Sequence, residues 1–334
     1  MIRILAGTLG LLWVVCAGAN PCVIDENNFD APASVDGGPV QVNVHLYMND
    51  ITEIKDADQS FVSDVFFRVE WQDSRMAHRG PEPCSAPSDK IWNPQLQLLN
   101  RRVVDKVQQP DLVVFPDGRV RQVVRAYGDF SFRADLTNFP FDQQQIGFVL
   151  VSSLGPEEIS LVAKSENLGL ADDLSVTNWE IESLGSRASE YYVAPLERFV
   201  SRLDIDFQAK RLTGFYTWQL LVPLVLVVMM TWAVFWVPLE FVAPRVGLVA
   251  TSMLTLIAYR FSMASILPPI AYLTRLDKFM VASSVLVFAA LAAAVAVTHL
   301  EHEGNMRVAT GLNSASRLLA PLLFLVVLVV VFLL

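Results

Sequence analysis

Hydroxyl-bearing and small side chains recur at steps of three and four residues along one apolar stretch in the second half of the chain. On a helical wheel they form one stripe with a leucine near its middle: Gly247, Thr251, Leu254, Thr255, Ala258, Ser262 and Ser265. The opposite positions, such as Val249, Leu256 and Ile257, are apolar. Because lipid offers no partner to a hydroxyl, the stripe must face water or another helix. It therefore predicts either the lining of an aqueous pore or a close helix–helix contact.

In the pore interpretation, several such helices surround one axis, and each turns its stripe toward that axis. Their hydroxyls would wet the pore, and a ring of Leu254 and Phe261 would dewet and close it. Arg260 lies in the same stretch, where a bare charge in lipid is costly, so it also indicates aqueous or paired surroundings. A membrane-anchored sensor that conducts nothing would have no need of the stripe.

Residues that would mark an enzyme or a metal site are scattered. The four histidines lie at positions 45, 78, 299 and 302, and the sequence has no phosphate-binding loop, serine nucleophile elbow or metal-spaced cysteine–histidine cluster. A transporter would need charged residues facing a midplane site and usually an internal repeat, and the sequence has neither. The expected functions are therefore a channel or a non-conducting sensor, without catalysis, cofactor or metal.

Four apolar segments must position the stripe. We predict membrane helices over residues 215–237, 246–267, 279–297 and 318–334. The first has 23 residues without a charge, and such a helix is long enough to cross about 30 Å of hydrocarbon. Pro223 inside it is tolerated where a neighbouring helix binds the carbonyl that the proline frees. Residues 212–334 are therefore predicted to form a transmembrane domain, and the segment 299–317 is too short to hold a further folded domain.

The N-terminus has the pattern of a secretory signal. Arg3 precedes an apolar run over residues 4–15, and small residues at 17 and 19 favour cleavage before Asn20. A fifth membrane helix is the alternative, but the run is short for one. With the signal peptide 1–19 removed, the mature chain would start outside the cytoplasm.

Residues 20–211 have the pattern of many short strands. Val42, Val44 and Leu46 alternate with polar residues, which is the period of a half-buried strand. Pro116, Asp117 and Gly118 form a turn signal between two valine-rich runs. This spacing predicts an immunoglobulin-like β-sandwich. The expected fold class is an α+β membrane protein, with the sandwich as an outer domain followed by a four-helix transmembrane bundle.

The outer domain is acidic. Residues 20–211 have 30 acidic and 18 basic side chains, which argues against nucleic acid as a partner because phosphates require basic patches. Five such domains in a ring would enrich cations near their axis, although solubility explains the charge equally well. The same domain has Cys22 and Cys84, which would either pair in an oxidising compartment or remain free thiols.

Four motifs occur together with the four spans. In chain order they are Trp71-Gln72-Asp73, Trp92-Asn93-Pro94, Phe139-Pro140-Phe141-Asp142-Gln143, and Arg211 before the first span with Pro268 and Tyr272 after the second. Together they resemble the pentameric ligand-gated ion channels, also called the Cys-loop receptor superfamily, over nearly the whole mature chain. Phe132 and Ile146 stand where animal members have the two cysteines that bracket the third motif. The chain therefore resembles the prokaryotic branch.

The resemblance implies a mechanism. Ligand would bind between receptor domains, and the base of each domain would press on the loop after the second helix and tilt that helix. The residues implied in this coupling are Asp142, Arg211, Asp58, Pro140, Pro268 and Tyr272. A pair between Asp142 and Arg211, joined by Asp58 or Asp56, would act as a two-state latch because breaking a buried pair is costly.

The ligand site implied by the resemblance is an aromatic box that holds cations. Its positions in this chain are Phe66, Leu99, Ser153, Tyr191, Tyr192 and Phe199. Leu99 and Ser153 fall where many receptors have aromatic side chains, and the paired cysteines of nicotinic members are absent. The alternatives are a small ligand other than a classical amine, protons, or a site that has lost its function.

Ion selectivity depends on the cytoplasmic mouth of the second span. Cation-selective relatives usually place an acidic ring there, whereas this chain has Ala243-Pro244-Arg245 and, a few residues earlier, Glu240. The proline and arginine are similar to anion-selective members; the acidic outer domain and the prokaryotic resemblance favour cations.

We expect a homopentamer, with four identical partner subunits around each chain, in lipid of a bacterial inner membrane. The outer domain would lie in the periplasm, and monovalent ions would permeate.

Overall fold

The computed structural model describes Cys22 and residues 37–108, 111–263 and 270–332. The predicted signal 1–19 lies outside these ranges, as do Ser265 and Pro268. A β-rich domain extends to Arg211 and four long helices follow it. This order of elements confirms the predicted fold class.

Two sheets make up the β-rich domain. In the described part of the chain its strands are β1 Val40–Lys55, β2 Ser60–Gln72, β3 Cys84–Ala86, β4 Leu96–Leu98, β5 Arg101–Gln108, β6 Leu112–Val114, β7 Arg119–Ser131, β8 Gln143–Ser152, β9 Ile159–Val162, β10 Leu168–Leu170, β11 Trp179–Val193 and β12 Arg198–Arg211. The first sheet has the order β10-β1-β2-β7-β6-β3, with β9 beside β1 and β5 beside β7. The second has the order β11-β12-β8-β4.

The sheets enclose a core built by the predicted alternation. Every second residue along the first part of β1 is buried: Val40, Val42, Val44, Leu46 and Met48. The aromatic rings of Phe61, Phe130 and Phe148 pack against one another between the sheets, with centroids 4.9–5.6 Å apart. Since such rings bury large apolar areas, this cluster holds the two layers together.

A disulfide anchors the start of the described domain. Cys22 and Cys84 are bonded, with Cα atoms 5.1 Å apart, and the Cys22 N–H donates to the Ser85 carbonyl at 2.9 Å. The structure therefore decides in favour of pairing over two free thiols.

Among the described residues, four helices are long and apolar enough to cross a membrane: α1 Gly214–Phe235, α2 Val242–Met263, α3 Arg275–His302 and α4 Met306–Phe332. The chain is accordingly a multi-pass membrane protein. Their apolar core is continuous with Leu136 and Phe139 of the β domain. The interior of the helical half and the base of the β domain therefore share one hydrophobic cluster.

The helices differ in extent from the predicted spans. α1 ends at Phe235 instead of 237, α2 begins at Val242 instead of 246, α3 covers 275–302 instead of 279–297, and α4 begins at Met306 instead of 318. Most of the segment 299–317 is thus helical, with a turn at 303–305. Hydropathy predicts the part of a helix that faces lipid, whereas the helix itself extends to its capping residues. At the N-terminus of α3 the capping residue is Thr274, which forms a capping box with Asp277.

The proline in α1 is accommodated as the sequence predicts. Pro223 cannot donate to the carbonyl of Gln219, four residues earlier. The hydroxyl of Tyr259 on α2 instead donates to the carbonyls of Gln219 at 3.2 Å and Leu220 at 2.6 Å. A neighbouring helix therefore satisfies the backbone that the proline leaves open.

Candidate functional site

The end of β12 places a buried arginine at the base of the β domain. Arg211 is 3% exposed. It donates from Nε and Nη2 to the two carboxylate oxygens of Asp142 at 2.8 and 3.0 Å. It also donates from Nη1 and Nη2 to the carboxylate of Asp56, both at 2.8 Å. One guanidinium thus bridges two carboxylates from different loops, an arrangement that lysine cannot reproduce.

Aromatic rings enclose this arginine. The guanidinium carbon of Arg211 lies 4.0 Å from the ring centroid of Trp179, 4.9 Å from Phe139 and 5.3 Å from Tyr216. Burial opposes the charged form, but the hydrogen bonds to Asp142 and Asp56 outweigh it and raise the pKa of Arg211 above its usual value. The cation is therefore permanent at any physiological pH.

Of the two early-loop acids considered from the sequence, the structure selects Asp56. Asp58 is exposed in the turn between β1 and β2, whereas Asp56 is half-buried and binds Arg211. Gln144 adds a hydrogen bond from its amide to Asp142 at 2.5 Å. Two residues, Arg211 and Gln144, therefore hold the Asp142 carboxylate. Asp58 occupies a different position from the one expected for a latch residue.

The loop with Phe139, Pro140 and Phe141 lies between Arg211 and the helices. Phe139 is fully buried, and its ring packs on Tyr216 of α1 with centroids 5.2 Å apart. Its carbonyl accepts from the N–H of Leu276 on α3 at 3.3 Å. The Phe139–Pro140 peptide is cis, and Phe141 contacts Phe332 at the end of α4 with centroids 5.9 Å apart.

Tyr272, from the segment between α2 and α3, reaches the same loop. The backbone N–H of Leu136 donates to the Tyr272 hydroxyl oxygen at 3.0 Å. Arg275, the first residue of α3, donates from Nε to the side chain of Asn138 at 2.9 Å. The structure thus brings Arg211, Asp142, Pro140 and Tyr272 into one junction between strands and helices. Pro268 belongs to the residues that are not described.

The predicted stripe lies on the uncovered face of α2. Leu254 and Phe261 are 68% and 76% exposed, and Gly247, Thr251, Ala258 and Ser262 are also exposed. Thr255 is half-buried and Ser265 is not described. Val249 and Leu256 are buried on the opposite face, whereas Ile257 is exposed.

The stripe hydroxyls already have partners for their protons. Thr251 Oγ1 donates to the Gly247 carbonyl at 2.6 Å, and Thr255 Oγ1 donates to the Thr251 carbonyl at 2.8 Å. Since a hydroxyl oxygen also has two acceptor lone pairs, both side chains still offer oxygen to whatever lies on that face. Such a surface is able to bind water or cations.

Arg245, predicted from the sequence to lie at the mouth of the pore helix, is buried inside the helix bundle instead. Arg245 is 0% exposed, and its Nη2 donates to Oδ1 of Asn313 on α4 at 2.8 Å. The sequence pattern does not predict this contact, because it assigns Asn313 to the segment 299–317 between two spans, whereas the structure places it in α4. Glu240, by contrast, is exposed in the turn between α1 and α2.

The candidate ligand residues divide between two regions of the subunit. Phe66 lines a cleft of about 300 Å³ that has walls from β1, β2 and residues 166–169. Tyr191, Tyr192 and Phe199 are exposed on the hairpin of β11 and β12, where the rings of Tyr192 and Phe199 lie 5.3 Å apart. A single subunit does not bring Phe66 and the hairpin aromatics together in this cleft.

The remaining two predicted ligand positions are near β4 and β8. Leu99 is 45% exposed. Ser153 donates from Oγ to the side chain of Gln95 at 2.5 Å, and its carbonyl accepts from Arg198. The hydroxyl of Ser153 is therefore already engaged within the subunit.

Arg68 and Glu166 are charged residues that line the cleft beside Phe66. Glu70 and Arg121 form an ion pair near His45, which also lines the cleft. Arg68 lies 2.9 Å from His45 Nδ1, and Arg121 donates to Glu70 at 2.5 Å. Burial and the neighbouring Arg68 lower the pKa of His45. Burial opposes ionisation of Glu70, but Arg121 outweighs it and lowers the pKa of that carboxyl. At neutral pH this face therefore has a neutral imidazole among charged partners.

Comparisons with known proteins agree with this architecture. The family model for the neurotransmitter-gated ion-channel ligand binding domain matches residues 24–213, and the model for the neurotransmitter-gated ion-channel transmembrane region matches residues 220–332. The chain is 25% identical to a proton-gated ion channel of Gloeobacter violaceus over 322 residues, which are 95% of this chain and 88% of that protein.

Animal receptors match as well. The chain is 25% identical over 289 residues to human gamma-aminobutyric acid receptor subunit rho-3, covering 83% of this chain and 62% of that subunit. Human subunit rho-2 is 25% identical over 292 residues. Because the two family models match the β domain and the four-helix half in turn, the chain belongs to the neurotransmitter-gated, or pentameric ligand-gated, ion-channel family.

Proposed function

We propose that five identical copies of this chain form an ion channel whose pore is lined by α2. The pore-lining residues would be Gly247, Thr251, Leu254, Thr255, Ala258, Phe261, Ser262 and Ser265. The observation that carries the proposal is the exposure of Leu254 and Phe261 on the same face as the two threonines. A ring of five such leucines would form a hydrophobic gate, and the hydroxyl oxygens would support ions on either side of it.

Replacing the proposed gate tests the pore directly. Leu254→Ser should give a channel that leaks at rest or opens at a lower stimulus, because a polar ring no longer dewets the constriction. Leu318→Ser on α4 is the matched control, since Leu318 is similarly exposed on a different helix. Equal currents from the two variants and the wild type, with surface pentamers confirmed, would support a non-conducting sensor instead.

We place the receptor domain in the periplasm of a bacterial inner membrane, where it responds to a small ligand or to protons. The cleft beside Phe66 would be one half of a site whose other half is the aromatic hairpin of Tyr191, Tyr192 and Phe199 on the adjacent subunit. The separation of these two groups within one subunit supports an interfacial site. Leu99 and Ser153 would lie at its edge.

For the permeant ion we propose monovalent cations. Support comes from the acidic receptor domain and from Glu240, which is exposed in the turn that leads into α2. Anions are the second candidate, because the first turn of α2 has no acidic residue. Reversal potentials of the wild type in asymmetric salt distinguish the two. If the channel conducts cations, Glu240→Gln should lower the ratio of cation to anion permeability. If it conducts anions, the same substitution should leave that ratio nearly unchanged.

A further inference from the structure

Arg245 has an unusual position for a charged residue at the entrance of a pore helix. It lies in the first turn of α2, two residues before Gly247, where the stripe begins. Its helical phase is that of the buried residues Val249 and Ser252, four and seven positions later. The guanidinium is therefore directed into the helix bundle, away from the exposed stripe.

One neutral side chain holds this charge. Asn313 on α4 accepts from Arg245 Nη2 at 2.8 Å and donates from Nδ2 to the carbonyl of Phe235 at 2.9 Å. Phe235 is the last residue of α1, so its carbonyl belongs to the negative end of that helix. Asn313 thus connects the end of α1, the start of α2 and α4.

The hold on Arg245 is weak for a buried cation. Its Nε and Nη1 have no hydrogen-bond partner within the described part of the chain. Arg317 also donates to the Phe235 carbonyl, at 2.8 Å. Glu301 attracts the charge of Arg245, whereas the like charge of Arg317 opposes it. Because a buried charge with unmet donors is costly, it stays inside only while its anchor remains.

We propose that Asn313 is a positioning residue that keeps Arg245 out of the pore mouth and thereby sets the charge that permeant ions meet there. Without the Asn313 oxygen, the long arginine side chain would extend its head to the nearest water. In a homopentamer this change brings five positive charges to one end of the pore. The inference rests on the proposed function, since it concerns the selectivity of the α2 pore.

Reversal potentials of Asn313→Leu test this inference. The experiment uses full-length pentamers in patches under a tenfold salt gradient, in the Leu254→Ser background so that the channel conducts without a known agonist. We expect the cation-to-anion permeability ratio to fall by about fivefold or more, because the added charges act across a narrow mouth. Asn313→Asp should preserve the ratio, since a carboxylate still binds the guanidinium. Ser316→Ala, one turn along the same buried face, is the control for packing and should also preserve it.

A double-mutant comparison separates positioning from general damage. In an Arg245→Gln background no charge is left to release, so Asn313→Leu should then leave the permeability ratio unchanged. A full effect of Asn313→Leu in that background would overturn the inference. Asn313→Ala replaces Asn313→Leu if the latter fails to reach the surface.

Failure of the inference and failure of the proposed function look different. Currents with an unchanged permeability ratio in Asn313→Leu would overturn the inference alone. Surface pentamers that carry no current in any variant, including Leu254→Ser alone, would refute the pore itself and the inference with it.

Discussion

Arg211 donates from Nε to Oδ1 of Asp142 at 2.8 Å, so the last residue of β12 is bound to the loop that contacts α3. Both side chains are almost fully buried. The second carboxylate, Asp56, comes from the turn between β1 and β2. Motion of either loop relative to the end of β12, which leads into α1, must therefore stretch or break a charged hydrogen bond. This is the property that a latch at the base of the β domain requires.

Charge reversal at Arg211 is the strongest test of this junction. In Arg211→Glu three carboxylates would face one another in a buried site, and losing one partner of a buried pair costs about 3–5 kcal/mol. We expect no gated current and a reduced yield of pentamers, measured by voltage clamp and by size-exclusion chromatography in detergent. Arg211→Lys should be intermediate, since the three donors of a lysine cannot reproduce the four hydrogen bonds that the guanidinium makes to the two carboxylates. Normal gating in Arg211→Glu would refute the latch.

Asp56 and Asp58 form a matched pair for a second test. Asp56→Asn weakens two hydrogen bonds to Arg211, whereas the exposed Asp58 lies outside this contact. We expect Asp56→Asn to shift the stimulus needed for half-maximal current by about fivefold or more, since bonds to a charged group contribute about 1.5–3 kcal/mol. Asp58→Asn should stay near the wild-type value. The reverse ranking would show that the turn adopts a different arrangement when the channel works.

Acidification should weaken the receptor domain through His45. Its pKa in the folded chain is lower than the ordinary 6.5 because of burial and Arg68, so folding favours the neutral imidazole. The stability from this preference is complete above pH 6.5 and is lost as pH falls through the lowered pKa. The charged groups acting on this imidazole are Arg68, Glu70 and Arg121, with Asn167 as a further hydrogen-bond partner.

Thermal unfolding of the full chain in detergent measures this effect. We expect the wild-type melting temperature to fall between pH 7 and pH 5 and His45→Gln to fall less. His78→Gln is the control, because that histidine contacts the Val114 carbonyl at 3.4 Å in another part of the domain. The low pKa of Glu70 adds a separate loss of stability below its ordinary 4.5. Identical pH profiles of the melting temperature for wild type and His45→Gln would show that this histidine does not cause the loss of stability on acidification.

Patterns of a few neighbouring residues were sufficient to predict that the chain forms strands followed by membrane helices. The alternation at Val42, Val44 and Leu46 and the apolar run after Phe215 report directly on which face of a strand or helix leaves water. The stripe from Gly247 to Ser262 is likewise visible on a helical wheel, and the structure leaves most of it uncovered. These features depend on neighbours a few residues apart.

Contacts between distant segments needed the tertiary structure. The choice of Asp56 over Asp58 depends on how one turn bends toward a strand 155 residues later. The pairing of Cys22 with Cys84 spans 62 residues, and the burial of Arg245 depends on Asn313, 68 residues away. The sequence by itself determined the kinds of element, their order and, in β1 and α2, most of the buried and exposed faces. Packing of segments far apart in the chain decided which charges meet, because hydrogen bonds and burial depend on distances in space that no short pattern contains.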